Sequence, residues 1–408
     1  MFRQLEIKDF SPFQDQTIHF PEKTKEAEDL AEIHILTGIN GTGKTRLLSI
    51  LAAVLGEDAH LIKRLTKATE TVLIEVNSPG NSITSRDGRG YYLQIHGDFA
   101  SSSQNIPAFS YNGAAYVQDA KIGLMSASQI PNPKINLSFS RPPDQSQELL
   151  QSIANLKIRA AMENLNAGST TTIELPRAVR LIKRLESTLS SITGQNLTFH
   201  IESYGEPNIM VNWGNNEKLL FSLLPDGLRS IIGWLAHAVV MMDATLQGKE
   251  DPIDSSAIFL LDEIESHLHP SWQRKILPAF QKLFPKAQIF VATHSPFVIS
   301  SINHGWIHCL VNENEGVFVK NAIPASRGDS YMSVLEDIMG LNELQSYDPE
   351  TEQLLIQFKK YRDDAYNGNT DSYKSAHELA LQIAERGNEL RFMMGCEIAQ
   401  MKKRLPLA

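Results

Sequence analysis

Cysteine is nearly missing from this 408-residue chain: Cys309 and Cys396 are the only two, and no CxxC pair exists. That excludes zinc ribbons, zinc hooks and thioredoxin-like chemistry, and it fits a reducing compartment. Long apolar runs are missing as well. The stretch from 231 to 242, IIGWLAHAVVMM, carries His237 and falls short of the roughly 20 residues that cross a bilayer. The opening MFRQLEIKDF alternates charge and hydrophobe and lacks the apolar core of a signal peptide. These absences predict a cytoplasmic protein without a membrane partner. Positive charge is in deficit: 38 Lys and Arg against 47 Asp and Glu leave a net charge of −9. An acidic surface argues against coating nucleic acid or anionic lipid nonspecifically, although it permits a local basic groove. No heptad run is long enough for a coiled-coil arm. No His-Asn-His cluster with a ββα pattern is visible, nor a Glu plus Asp-x-Asp arrangement after residue 300. Any nucleic-acid cleavage linked to this chain must therefore come from a partner.

What is present is a globular balance, with 42% hydrophobic and 21% charged residues. It rules out disorder along the whole chain, and the length suggests two or three domains. Residues 2–8 and 16–20 alternate as strands, and 21–30 is a charged loop. The segment 32–56 reads as a buried strand, a glycine loop and an amphipathic helix ended by Gly56. A β-rich stretch covers 57–106, and 106–118 is a strand entering a loop. Helical spacing occupies 147–165 and 177–192, followed by short strands at 197–203, 208–213 and 218–222. From 224 the order is helix, strand 257–261, helix to 284, strand 288–293 and helix. The tail from 345 is charged and helical. Strands alternating with helices predict an α/β fold.

Gly38, Gly43, Lys44 and Thr45 satisfy G-x-x-x-x-G-K-[ST] between a strand and a helix. Glycines at 41 and 43 let successive backbone N–H groups point inward at phosphate oxygens, and the helix N-terminus adds positive potential. Asn40, Gly41, Thr42, Gly43, Lys44, Thr45 and Arg46 are thus candidate ATP-binding residues. Lys44 reaches the β- and γ-phosphates, and Thr45 ligates Mg²⁺. In AIFLLDE, four apolar residues place Asp262 and Glu263 at the carboxyl edge of a buried strand, where ligands bind in such sheets. Asp262 would hold Mg²⁺ through its water shell, and Glu263 would orient or deprotonate the attacking water. QIFVATHSP repeats the pattern and puts His294 at a strand tip, within reach of a γ-phosphate. His267 and His269 lack a third ligand, so loop or interface roles are expected. Asp226 is placed to cap the helix that follows it, and Gly227 to allow close backbone approach. Arg177, Arg180, Lys183 and Arg184 share one helix face. That face is either a phosphate-binding ridge or a solvated surface.

GINGTGKT, LPDGLRS, LLDEIESHLHPSWQRKILPAF and ATHSPFVI together resemble the ABC-type ATPase heads of the SMC and RecF proteins. They resemble most closely the small bacterial AAA_21 ATPases, among them the ATPase subunits of Septu-type and retron-associated anti-phage systems. The resemblance implies an α/β ABC-ATPase head: a mixed β-sheet around a P-loop core, plus an antiparallel β subdomain. A helical lid insertion and a C-terminal helical extension complete it. The implied divisions are an N-terminal lobe (1–139), a lid replacing a coiled-coil arm (140–222), a C-terminal lobe (223–325) and a docking extension (326–408). It implies ATP and Mg²⁺ as cofactors. It also implies a head-to-tail homodimer or higher oligomer, with Pro225, Asp226 and Gly227 facing the partner's ATP. Pro225 and Asp226 depart from the family's serine and glycine, and His269 stands where SMC proteins carry Asp. Slow hydrolysis or ATP-gated switching is the expectation from these departures. Gln118 is the candidate Q-loop glutamine and Mg²⁺ ligand; the alternative is a surface loop residue. Phe392, Met393, Met394 and Met401 give the tail a soft apolar surface, for docking or for packing within its own domain. The functional expectation is an ATPase switch that regulates an effector, an HNH-type nuclease, in phage defence. A stand-alone RecF-like DNA-repair ATPase and a nucleotide sensor that barely hydrolyses ATP are the alternatives.

Overall fold

The computed structural model describes residues 1–8, 11–56, 73–77, 82–86, 92–97, 106–113, 146–166, 175–202, 207–215, 218–246, 251–313, 316–325, 331–340 and 347–404. The chain divides into two compact units, Met1–Val334 and Leu335–Ala408. The division falls later than the expected 326. The Tyr331 ring lies tilted against Phe297 at 5.4 Å and Val334 is buried, so both belong with the first unit.

The first unit is organised by a sheet whose strands run in the order Gly316–Val319, Trp306–Glu313, Glu32–Gly38, Gln288–Ala292, Ile258–Asp262, Ala108–Asn112. The last five of these are mutually parallel, and Gly316–Val319 is antiparallel to its neighbour. Ile258–Asp262 and Gln288–Ala292 are buried at every position. Continuous apolar runs are what parallel strands covered on both faces require. Alternate residues serve alternate faces. Ile258, Leu260, Phe290 and Leu36 share a core with Leu47, Leu48 and Leu51 of the helix Lys44–Gly56. Phe259 points the other way and packs on Phe280 and Phe284, each 4.9 Å between centroids.

A second sheet is antiparallel throughout, in the order Gln16–His19, Phe2–Lys8, Tyr92–Gly97, Ser82–Arg86, Leu73–Asn77. Phe2 and Phe20 set their edges against Phe290 and fasten it to the main sheet. The buried Gln288 amide adds direction: its Oε1 accepts from the Phe2 N–H at 2.7 Å, and its Nε2 donates to the Phe2 carbonyl at 2.9 Å. Beside it Glu32 Oε1 accepts from Arg3 and from His34, at 2.7 and 3.0 Å. Burial favours the neutral carboxyl, but these hydrogen bonds outweigh it and hold Glu32 down at about 2.

The described part of residues 140–222 contains the helices Ser146–Asn166 and Arg177–Thr193. A small antiparallel sheet accompanies them, Lys218–Leu219, Asn208–Trp213 and Leu197–Glu202. The strand expected over 218–222 stops at Leu219. The chain then makes a tight turn, Phe221–Leu223, which buries Phe221 parallel to Phe199. The next helix is interrupted: Asp226–Ile231 and His237–Leu246 flank a π-helical turn, Ile232–Ala236. Periodicity did not predict that turn. It coincides with buried Trp234 and with His237, whose Nδ1 lies 3.0 Å from the Tyr111 hydroxyl.

The second unit contains the helices Pro349–Tyr366, Thr370–Ala384 and Asn388–Arg404, packed around Leu355, Phe358, Ala376, Ile383 and Leu390. Asp348 and Asn369 cap the first two through backbone N–H groups of the opening turn. Met394 and Met401 belong to this core, the second of the two alternatives above; Phe392 remains 77% exposed. No described helix is long and apolar enough to cross a membrane.

Burial pulls His237 down to about 4, so it folds neutral while the unfolded residue titrates near 6.5. Its contribution is complete above pH 6.5 and is lost as pH falls toward 4. The shift corresponds to roughly 3 kcal/mol. His34 and His308 act in the same direction. Urea unfolding from pH 7 to 4.5 should therefore show a shallower acid loss for His237→Gln than for the wild type; parallel profiles would rule the assignment out.

Candidate nucleotide site

The parallel strands end level. Leu36 is in register with Ala292, Ala292 with Asp262, and Asp262 with Asn112. Three loops therefore leave one edge side by side: the glycine loop, the carboxylate loop and the histidine loop. The histidine strand lies between the other two. In the glycine loop Gly41 and Gly43 have φ of 86° and 81°, conformations that side chains rarely adopt. Thr42 Oγ1 donates to the Ile39 carbonyl at 2.9 Å and braces the turn.

The candidate side chains meet here. Lys44 Nζ donates to the carbonyls of Gly38 and Ile39, at 2.9 and 3.0 Å. Burial lowers its pKa, and Asp262, Glu263 and Glu265 oppose that. Thr45 Oγ1 donates to Asp262 Oδ1 at 3.1 Å. Burial pushes Asp262 up to about 6, helped by Glu263 and Glu265 and opposed by Thr45 and Lys44. A buried carboxylate raised in this way favours an incoming cation. The Thr45 and Asp262 oxygens are hard donors of the kind Mg²⁺ takes. These residues fit that ion. Glu263 is exposed on the same edge with φ 49°, and its N–H is held by the Ala292 carbonyl at 2.9 Å. A positive φ on a non-glycine residue is a mark of functional sites. Burial, and then Lys44, lower His294 and favour its neutral ring; Glu263 and the Gly38 backbone oppose them. The Gly38 backbone thus lies beside both Lys44 and His294. Arg46 is half-buried, and burial lowers its guanidinium; Asn40 is exposed at the loop tip.

Other expected residues fall elsewhere or behave differently. Gln118 lies outside the described residues. Asp226 does not cap its helix: Pro225 holds the N-cap position, and the Asp226 carboxylate pairs with Arg229 one turn on. The close approach at Gly227 is to this chain's own loop, where an added Cβ would stand 2.6 Å from the His267 carbonyl. His269 is itself an N-cap; its Nδ1 accepts from the Ser271 N–H at 3.2 Å. Among the described residues no group of three or more His, Cys, Asp or Glu could hold a metal. The basic face is largely engaged within the chain. Arg177 pairs with Asp243, Arg180 with Asp251, and Arg184 donates to the Lys282 carbonyl; Lys183 is exposed. The spacing is right for a ridge, but the acids that neutralise it lie 66 residues or more away in sequence, beyond any local pattern.

Two residues at the site escaped the sequence reading. Gly113 follows the strand Ala108–Asn112. Its N–H donates to the Asp262 carbonyl at 2.9 Å, and its own carbonyl accepts from Ser230 Oγ at 2.6 Å. Glu265 accepts from Thr293 Oγ1 and from the His294 N–H. It was visible as a third acid in DEIES, but a buried role is not legible from composition.

Residues 33–300 match the family described as "AAA domain, putative AbiEii toxin, Type IV TA system". The chain is 28% identical over 201 residues to the Septu protein PtuA of Bacillus thuringiensis, covering 47% of this chain and 49% of that protein. It is 32% identical over 145 residues to the "Retron Ec83 probable ATPase" of Escherichia coli, covering 36% and 26%. The chain thus spans half or less of the length of these relatives. Among solved structures, the SMC head domain from Thermotoga maritima aligns with a TM-score of 0.39 and 15% identity, over 79% of this chain and 98% of that one.

Gly113 gives a direct test of this geometry. An added Cβ would lie 2.0 Å from the Glu263 carbonyl oxygen and 2.7 Å from Ile264 Cα. Backbone cannot yield cheaply, so Gly113→Ala should destabilise by about 1–3 kcal/mol or more. Gly395→Ala, with nothing within 4 Å, should be neutral or stabilising. Denaturant midpoints compare the two; equal midpoints would contradict the packing described.

Proposed function

Because the chain belongs to the AAA_21 family, we propose that it is an ATP-binding and hydrolysing switch of the ABC type, working in phage defence. The observation that carries this reading is the convergence of Lys44, Thr45, Asp262, Glu263 and His294 on one sheet edge. The names of its relatives, a Septu protein and a retron ATPase, support the defence setting.

The triphosphate lies along the glycine loop, where N–H groups and the helix N-terminus face it. Lys44 leaves the Gly38 and Ile39 carbonyls for the β- and γ-phosphate oxygens. Thr45 and Asp262 would hold Mg²⁺, which when bound would supply positive charge to offset that of the phosphates. Glu263 takes the proton of the attacking water. His294, neutral at pH 7, presents one N–H. Directed at the γ-phosphate, that N–H stabilises charge as it develops.

The segment Pro225–Gly227 completes the site of a second copy in a head-to-tail dimer. Pairing with Arg229 neutralises Asp226, so the acid does not repel the partner's phosphate. The nucleotide-dependent dimer then gates a bound effector, an HNH-type nuclease. The pairing of Arg177 and Arg180 with Asp243 and Asp251 favours this reading over the DNA-end alternative, which would need those arginines free.

Glu263→Gln should lower steady-state phosphate release by about 100-fold or more, the usual contribution of a positioned base. Light scattering should show it dimeric in ATP·Mg²⁺ and monomeric without. Unchanged turnover together with unchanged mass would refute the assignment.

A further inference from the structure

Glu265 sits in the loop between the carboxylate strand and the helix Pro270–Leu283, yet its contacts are with the histidine loop. Its Oε1 accepts from Thr293 Oγ1 at 2.6 Å and from the His294 backbone N–H at 2.9 Å. Thr293 Oγ1 in turn accepts from the Ser295 N–H at 3.0 Å. Ser295 Oγ donates to Gln273 Oε1 at 2.6 Å, and Gln273 Nε2 donates to the Leu268 carbonyl at 2.9 Å, back in the loop that carries Glu265. The hydrogen bonds form a closed circuit between two loops, with His294 on its rim. Thr293 is fully buried and Ser295 nearly so, which shields the circuit from competing water.

We propose that Glu265 is a positioning residue that fixes the backbone of His294, and hence its imidazole, against the phosphate loop. This rests on the ATPase reading above. The role needs an acceptor at Oε1 and does not need a charge. One oxygen serves both donors, while Oε2 is buried without a hydrogen-bond partner. Glutamine keeps an oxygen at the required reach, whereas alanine leaves the His294 N–H and the Thr293 hydroxyl without that partner. A displacement of about 1 Å at a reacting group is enough to lower turnover severely.

The test is a double-mutant cycle on ATP hydrolysis with wild type, Glu265→Ala, Glu265→Gln, His294→Ala and Glu265→Ala/His294→Ala. Glu265→Ala should lower kcat about tenfold or more with KM for ATP little changed, and Glu265→Gln should stay within about threefold of wild type. The double variant should be no slower than His294→Ala, because both substitutions remove one unit. Multiplying losses, or a glutamine variant as slow as alanine, would overturn the proposal. A wild type no faster than Lys44→Ala would sink the ATPase reading instead. Hydrogen exchange then judges the clamp on its own. Exchange of the His294 and Ser295 amides should speed up in Glu265→Ala and stay slow in Glu265→Gln. Unchanged exchange in Glu265→Ala would overturn the proposal whatever the turnover.

Discussion

Everything at the candidate site depends on four parallel strands ending level. The register of Leu36, Ala292, Asp262 and Asn112 across the sheet brings together loops that are distant in sequence. A slip of one residue would turn each side chain to the opposite face of its strand. Burial on both faces makes such a slip costly: Phe259 would leave Phe280 and Phe284, and Leu260 would leave the helix that follows the glycine loop. The chemistry is therefore held in register by the core, and the loops need only short reaches to meet.

Electrostatics then sets the site's appetite. Burial opposes the charged forms of Lys44 and Asp262, and each lies close enough to favour the other's charge. Glu263 and Glu265 add negative potential to the same edge. Such an arrangement is poised for a polyanion at the lysine and a divalent cation at the aspartate, the two charges of a metal–nucleotide complex. At the other end of the same strands, the arrangement is a structural network. There Glu32, Arg3, His34 and Gln288 satisfy one another and join the two large sheets. One sheet thus carries a polar cluster at each end, one joining the two large sheets and one forming the candidate site.

Much of this was legible in the sequence because the signals are local. The glycine loop, the two apolar strands ending in Asp262-Glu263 and Thr293-His294, and the two opening strands all rest on short-range patterns. The α/β architecture followed from their alternation. What escaped depends on partners far along the chain. Nothing near Arg177 announces Asp243, nothing near Gly113 announces the Glu263 backbone, and nothing in DEIES announces that its third acid reaches Thr293. The π-helical turn at Ile232–Ala236 is a response to packing around Trp234 and His237, which periodicity cannot register. Asp226 was misassigned as a cap for a local reason: Pro225 took that position and left the acid one residue inside the helix.

On the proposed reading, each nucleotide is completed by the Pro225–Gly227 segment of a second copy, so activity belongs to the assembled pair. The most direct measurement is phosphate release from saturating ATP·Mg²⁺ by the wild-type protein over a wide range of protein concentration. The account predicts that activity per molecule climbs with concentration and then levels off as the dimer fills. Activity per molecule that is constant throughout, or phosphate release equal to that of a Lys44→Ala control, would contradict it.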